Sequence, residues 1–181
     1  MISWIKKKLK KLTNSLRPYK NSSKSATKSE IPNHIADIEK IVRVLLFPTQ
    51  FRKSDEILKW QAFRTKAGED EVSVIRLDYC DENFCKKHGK SIQDPNRKAS
   101  YYGLGVLFAS EIRDLEADVI YTPKHHDFHA DIKVGYVPTK GEAIPPEIKY
   151  KMEEMASKAR IYKDSSPDTD LWIDPPIELQ K

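Results

Sequence analysis

The first 29 residues of the chain contain no acidic residue, and this limits which part of the sequence can form a globular core. Nine lysine and arginine residues give this stretch a charge of +9, which leaves −4 of the total +5 to the other 152 residues. A run with so many like charges does not supply a buried core. We therefore expect the core to follow it, and an anionic partner for the basic stretch rather than for the acidic body.

Residues 1–17 have the apolar spacing of an amphipathic helix. Isoleucine and leucine recur at intervals of three and four residues, which places them on one stripe, with the lysines on the other side. Pro18 follows the segment, at the point where such a helix would end. The pattern predicts binding to an anionic surface through Ile2, Trp4, Ile5, Lys6, Lys7, Lys8, Leu9, Lys10, Lys11, Leu12, Leu16 and Arg17.

Three kinds of partner fit this segment: a membrane surface, a nucleic acid, or a groove on another protein. Phosphate binding needs the cations but has no use for an apolar stripe. An interfacial helix buries such a stripe and directs its lysines at anionic headgroups. Trp4 and the uninterrupted stripe therefore favour the membrane, and the other two partners stay open.

The basic segment does not resemble a secretory signal, because lysines interrupt the roughly 7 to 15 consecutive apolar residues that such a signal needs. Mitochondrial presequences are also basic and amphipathic, but they favour arginine over lysine. The two cysteines are too few for a disulfide framework. We expect a cytoplasmic protein that lies on the inner face of the membrane when its N-terminal helix is bound.

Composition divides the rest of the chain into two parts. Residues 18–32 are rich in serine and lysine, which is typical of a flexible linker. Residues 33–181 are long enough for a single domain with its own core. Short predicted strands alternate there with short helices, which indicates an α+β domain with a mixed or antiparallel sheet.

Four segments have strand patterns. The run 41–47 is β-branched and closed by Pro48, which favours a buried strand, although a helix extending from the preceding residues is the alternative. Strands are also expected at 71–79 and 118–121. Residues 128–136 alternate apolar and polar side chains, which predicts a strand that buries Phe128, Ala130, Ile132 and Val134 on one face and exposes the other.

Helices are expected between these strands. Asp81 is placed to cap a short helix that Gly89 would close. The segment 101–115 begins as a strand or a buried helix and continues as a helix. A longer helix is predicted across 145–162, with one apolar face that includes Met152 and Met155. The proline-rich end is expected to attach to the body through Leu171, Trp172 and Ile173.

Histidine and cysteine are numerous enough to raise the question of zinc. Cys80, Cys85 and His88 follow one another with C-x4-C-x2-H spacing, and three histidines lie close together downstream, at positions 125, 126 and 129. The cysteine spacing departs from that of common structural zinc sites, and buried cysteines and solvated histidines are ordinary. We therefore predict no metal ion and no cofactor.

His129, Asp131 and Lys133 lie on one side of the predicted strand at 128–136. A carboxylate beside a histidine can orient the ring and stabilise its charged form, as general base catalysis requires. No nucleophile motif accompanies them. We favour the interpretation that His129 bonds to a neighbouring strand or loop while Asp131 and Lys133 are solvated.

Tyr101, Tyr102, Gly103 and Gly105 lack the further glycine and lysine of a phosphate-binding loop. Glycines in a buried strand are more simply explained by close packing against a neighbour. Nucleotide binding is not predicted.

Four short motifs resemble a group of small uncharacterised bacterial proteins. They are FPTQF, WQAF with its Ala62-Phe63 step, EVSVIR, and HADI with His129-Ala130, which together span about residues 41–132. No activity is known for that group, so the resemblance implies no reaction. It does imply a role for His129.

Two functions follow from these patterns. The favoured one is a non-enzymatic accessory or interaction module that belongs to a larger bacterial system, binds a protein partner and is tethered to an anionic surface by residues 1–17. The alternative is a small metal-assisted hydrolase or nuclease that uses His125, His126 and His129, with the basic segment binding nucleic acid. The first is favoured because the basic segment is a strong physical signal and the catalytic constellation is not.

Overall fold

The structure is a computed structural model, and it describes residues 30–52 and 54–179. The predicted helix at 1–17 lies outside the described residues, as does most of the predicted linker. The folded part reaches further towards the N-terminus than residue 33, because Ile31 is buried and the Pro32 carbonyl accepts a hydrogen bond from Arg76 at 2.5 Å.

An antiparallel sheet organises the described residues. Six strands lie in the order β6-β7-β4-β1-β5-β8, every adjacent pair is antiparallel, and β2 and β3 form a separate hairpin. The α+β prediction is confirmed. The strands are β1 (Lys40–Phe47), β2 (Phe51–Arg52), β3 (Ile57–Leu58), β4 (Val72–Arg76), β5 (Ser100–Phe108), β6 (Asp118–Tyr121), β7 (His129–Lys133) and β8 (Arg160–Lys163).

Helices cover both faces of this sheet. Those in the described part of the chain are α1 (Glu82–Ser91), α2 (Ala109–Arg113) and α3 (Pro146–Lys158), with 3-10 turns at Trp60–Phe63, Leu77–Tyr79 and Pro95–Arg97. No helix among the described residues is long and apolar enough to cross a membrane.

Strand β1 lies in the middle of the sheet and is buried on both sides. Ile41 and Leu45 belong to the core beneath α3, and Val42 and Val44 belong to the core beneath α1. We call these two sides the α3 face and the α1 face. A strand buried on both sides does not alternate apolar and polar residues, which explains why the run that predicted it is apolar except for Arg43.

Strand β7 differs from its prediction in how deeply it is buried. Ala130 and Ile132 face the α3 side, as the alternation predicts. The opposite side is covered as well, because His129 is 2% exposed and Asp131 is 1% exposed. The expectation that Asp131 is solvated is therefore wrong. Phe128, which precedes the strand, packs on the α1 face instead of beside Ala130.

Helix α1 begins as predicted and ends later. The Asp81 side chain accepts a hydrogen bond from the Phe84 N–H at 2.8 Å. Gly89 does not close the helix, which continues to Ser91. A Cβ on Gly89 would lie 2.6 Å from the Tyr101 ring and 2.9 Å from the Val44 side chain, so glycine allows α1 to lie close to β1 and β5.

The long helix predicted at 145–162 is too long. Helix α3 ends at Lys158, and the next residues form the edge strand β8, which pairs with β5. Ile161 packs towards the α3 face and Tyr162 towards the α1 face, as alternation along a strand requires. A Cβ on Gly103 would collide with the Tyr162 carbonyl, which confirms that this glycine serves close strand packing.

The end of the described chain crosses the α1 face, and we call residues 164–179 the C-terminal strap. Trp172 and Ile177 are buried in the α1-face core. Trp172 N–H donates to Asn83 at 2.7 Å, and Ile177 N–H donates to Glu82 at 2.9 Å. Leu171 and Ile173, which were predicted to be attached with Trp172, are 65% and 64% exposed.

A buried lysine holds the strap against α1. The Lys86 side chain is 0% exposed, and its Nζ lies 2.9 Å and 3.2 Å from the two carboxylate oxygens of Asp164, which is equally buried. The same ammonium donates to the carbonyls of Ser166 at 2.7 Å and Leu171 at 2.8 Å, and to the Thr169 hydroxyl at 3.2 Å. All of these oxygen atoms belong to the strap.

We predict that Lys86→Met lowers the free energy of unfolding by about 3–5 kcal/mol, because it leaves the Asp164 carboxylate buried without its countercharge. Chemical denaturation of the full chain measures this loss. Adding Asp164→Asn to Lys86→Met should recover part of it.

Lys90→Met is the matched control. Lys90 lies on the same helix and pairs with the exposed Asp170, so its loss should cost less than about 1 kcal/mol. Equal losses from the two methionine variants would show that the buried pair does not stabilise the fold.

Candidate functional site

Four of the five histidines in the chain lie together on the α1 face. His126 has its ring centre 4.8 Å from that of His88 and 5.5 Å from that of His129, and the rings of His125 and His129 are 5.1 Å apart. We call these four residues the histidine cluster. The fifth, His34, is exposed.

The cluster forms where α1 meets the loop between β6 and β7. Phe84 and His88 lie one turn apart on α1, so they share one side of the helix. The Phe84 ring packs edge-on against His126 at 4.9 Å and against Phe128 at 4.8 Å. Aromatic rings therefore pack against the middle histidine, and both of its ring nitrogens are buried.

His129 has a defined proton arrangement. Its Nδ1 lies 2.6 Å from the Thr122 carbonyl oxygen, which can only accept, so Nδ1 carries the proton. The Nε2 atom of the neutral ring then carries the lone pair. It is buried without a hydrogen bond, since the nearest Asp131 oxygen is 3.8 Å away.

Thr122 also holds Asp131 in place. Its hydroxyl donates to an Asp131 oxygen at 2.6 Å and lies 3.1 Å from His129 Nδ1. Thr122 thus connects His129 and Asp131, which lie on the same side of β7. Sequence reasoning missed Thr122 because it lies on the other arm of the hairpin.

Burial keeps the middle histidine, His126, uncharged at neutral pH. Both ring nitrogens of His126 are buried without hydrogen bonds, and burial, followed by the neighbouring histidines, lowers the pKa of His126 to about 4. Burial also lowers the pKa of His88 and of His129, although the Thr122 carbonyl and Asp131 oppose the shift at His129. Neutral imidazoles accept protons or ligate metals; they do not bind anions as cations.

A row of charged residues lies beside the cluster. Glu71 accepts from Lys124 at 2.6 Å and from Lys133 at 2.8 Å, and these two hydrogen bonds lower the pKa of Glu71 to about 2. Lys124 also lies 3.5 Å from Asp131. Because the two carboxylates offset the two lysines, this row carries no excess positive charge for an anion.

The grouping of Cys80, Cys85 and His88 that the sequence suggested is split in the structure. The two sulfur atoms are 4.0 Å apart in the α1-face core, whereas His88 lies against His126. Hydrogen bonding to Cys85 and burial raise the pKa of Cys80 well above its usual value, so it stays a thiol. Within residues 30–52 and 54–179, no three His, Cys, Asp or Glu side chains are placed to hold a metal ion.

A cavity of about 660 Å³ lies elsewhere, between the β2–β3 hairpin, α3 and β8. Trp60, Gln61, Glu153 and Ile161 are among the residues that line it, and none of the histidines does. Among the described residues, the histidine cluster is therefore separate from this cavity. That separation does not favour a catalytic site.

The sequence predicted part of this site. His125, His126 and His129 do come together, as the hydrolase alternative required, and His88 joins them through the fold. Lys133 pairs with Glu71 and is not freely solvated. The twelve residues predicted to bind an anionic surface lie outside the described residues, so that prediction stays a prediction.

We predict that the chain loses stability between about pH 6.5 and pH 4, and that His126→Phe reduces this loss by about 1–2 kcal/mol. The folded-state pKa of His126 is lowered, so the unfolded chain binds more protons in this range and folding weakens as the pH falls. Denaturant unfolding at pH 7, 5.5 and 4.5 measures the effect. Phenylalanine also removes two unpartnered ring nitrogens, so stability at pH 7 should not fall.

His34→Phe is the control, because His34 is exposed and outside the cluster. Glu71 does not affect this measurement. Because its pKa is lowered in the folded chain, its contribution to folding stability is lost only as the pH falls from about 4.5 to about 2. If His126→Phe and His34→Phe gave the same pH dependence as the wild type, the cluster would not be the source of acid sensitivity.

No family model, no curated protein and no solved structure matches this chain. The resemblance to small bacterial proteins accordingly stays a prediction. The function has to be inferred from the side chains themselves.

Proposed function

We propose that the protein is a non-enzymatic interaction module of a larger bacterial system, held at an anionic membrane surface by residues 1–17. One observation carries the proposal: the first 29 residues combine nine cations and no acid with an Ile/Leu stripe, on a body of charge −4. A membrane surface satisfies both the charges and the stripe.

The expected strength of attachment follows from the two contributions. Each lysine near an anionic leaflet contributes on the order of 1 kcal/mol, so the five lysines at positions 6, 7, 8, 10 and 11 give attraction that salt weakens. The stripe and Trp4 add apolar burial that salt does not weaken. Neither the charges nor the apolar burial alone is expected to be sufficient for stable attachment to the membrane.

The described body supports a binding role more than a catalytic one. Both ring nitrogens of His126 and the Nε2 atom of His129 are buried, the lysines at Glu71 are neutralised, and the cavity beside the β2–β3 hairpin is lined by other residues. Exposed Ile38, Val137, Tyr150, Leu171 and Ile173 offer apolar contact to a protein partner. In this proposal residues 1–17 hold the body at the membrane, and the body binds the protein partner there.

We predict that the full chain sediments with anionic liposomes and not with neutral ones, and that deleting residues 1–17 abolishes this. Trp4→Ser with Leu9→Ser keeps every charge and should weaken binding at least about tenfold, because the apolar burial is lost. Sedimentation over a range of lipid concentrations gives the affinities.

Ser3→Ala with Ser15→Ala is the matched control, because it also changes two residues but leaves the stripe and all charges in place. Unchanged liposome binding in the Trp4/Leu9 variant would contradict membrane insertion. Equal binding of that variant and the wild type to DNA, with DNA displacing the protein from liposomes, would assign the segment to nucleic acid.

A second candidate function is a small metal-assisted hydrolase or nuclease. One observation favours it: His129 Nε2 and both ring nitrogens of His126 are buried, unpartnered and neutral, as ligand nitrogens must be. It ranks second because the described donor atoms are not arranged around a common point and because the cavity lies elsewhere.

We predict that the purified protein contains far less than one zinc per chain, and that Cys80→Ser with Cys85→Ser keeps the fold. Elemental analysis and circular dichroism measure these two properties. About one zinc per chain, with unfolding when it is chelated, would instead favour the second candidate. So would the loss of a hydrolytic activity in a folded His129→Ala variant.

A further inference from the structure

The C-terminal strap is an acidic surface that crosses the α1 face. Residues 164–179 contain five acidic residues and no basic one: Asp164, Asp168, Asp170, Asp174 and Glu178. Lys86 neutralises the buried Asp164, and Lys90 pairs with Asp170. Asp168 and Glu178 are exposed, and Asp174 is partly exposed and accepts a backbone hydrogen bond from Ser165. The outer side of the strap therefore keeps negative charge.

Two large apolar side chains lie within this acidic surface. Trp172 is buried in the core, whereas its neighbours Leu171 and Ile173 are exposed. They are the two most exposed large apolar residues among those that the structure describes, at 65% and 64%. An apolar pair bordered by carboxylates complements an apolar stripe bordered by lysines.

The point where the N-terminal segment joins the body lies on the face that the strap crosses. Ile31 belongs to the same buried cluster as Trp172 and Ile177, so the described chain begins on the α1 face. The composition of residues 18–29 is typical of a linker, and a random coil of that length has a root-mean-square reach of about 20 Å. A tether of this reach gives an effective concentration of about millimolar, at which even a weak contact is populated.

We propose that residues 1–17 dock on the C-terminal strap of their own chain. The lysines of this segment face Asp168, Asp174 and Glu178, and its Ile/Leu stripe covers Leu171 and Ile173. Charge complementarity and the position of Ile31 select this occupant over another protein.

Docking on the strap regulates membrane attachment. This regulation rests on the proposed function, because it requires that residues 1–17 bind a membrane. The docking itself does not depend on the proposed function. The same stripe cannot contact lipid and the strap at once. A docked state that is occupied half of the time lowers the apparent affinity for lipid by about twofold. An anionic surface or a partner that covers the strap therefore releases the segment.

Paramagnetic relaxation in the full chain, without lipid, tests the docking. A nitroxide is attached through Ser3→Cys, and Cys80 and Cys85 are buried and do not compete for the label. Amide signals of residues 165–179 should be attenuated at least about twofold more than those of α3 on the opposite face, and roughly 0.5 M salt should reduce the difference.

Leu171→Ser with Ile173→Ser keeps every charge and should remove most of the attenuation. Val137→Ser with Tyr150→Ser is the matched control, because these residues are also more than half exposed but are not part of the strap, and it should leave the attenuation unchanged. Uniform attenuation over the body, or attenuation that is insensitive to Leu171→Ser with Ile173→Ser, would overturn the proposal.

The liposome assay separates the two proposals. The Leu171/Ile173 variant should bind anionic liposomes about twofold more tightly than the wild type, the opposite direction to the Trp4/Leu9 variant. Attenuation at the strap without any liposome binding would leave docking in place and overturn membrane attachment. Liposome binding without attenuation at the strap would support membrane attachment and overturn docking.

Discussion

The buried ammonium of Lys86 determines how the α1 face is built. Its partners are a carboxylate, two carbonyls and a hydroxyl, and all of them come from one segment of eight residues, 164–171, which turns around the ammonium. A buried charge without such partners costs several kcal/mol, so the strap cannot leave α1 without a large penalty. The strap in turn buries Trp172 and Ile177 against the sheet and fixes the position of α1. His88 and Phe84 reach the histidine cluster only because α1 is held there.

The sequence predicts correctly those strands and helix ends that are determined by residues close to them in the chain. The β-branched run 41–47, the strand 118–121 and the Asp81 cap appear where expected, because side-chain branching and capping act within a few residues. The sequence pattern places the residues of β8 in the helix before it. Four residues are too few to distinguish the two-residue period of a strand from the 3.6-residue period of a helix. Its edge position is set by β5, about 60 residues earlier in the chain.

Burial on the second side of β7 could not be predicted from the strand itself. Alternation shows which residues share a side, but it cannot show that α1 and the loop after β6 cover the polar side. The same limit applies to the site. Adjacent positions in the sequence group His125, His126 and His129, whereas His88 and Thr122 join them only when α1 and β6 are in place. Burial in this arrangement lowers the pKa values of His88, His126 and His129, and Thr122 becomes a hydrogen-bond partner of Asp131.

The two sides of the sheet differ in what they present. The α3 face has a continuous apolar core and an open cavity near its edge, with Trp60 and Gln61 in the wall. The α1 face gathers the histidines, the buried lysine, the acidic strap and the point where the N-terminal segment leaves the body. Basic residues are thus concentrated near one end of the sequence and acidic residues near the other, although the net charge of +5 shows neither. Because the strap is held by a buried ion pair, its exposed Leu171 and Ile173 stay in fixed positions, and a fixed apolar pair loses less entropy on contact than a mobile one.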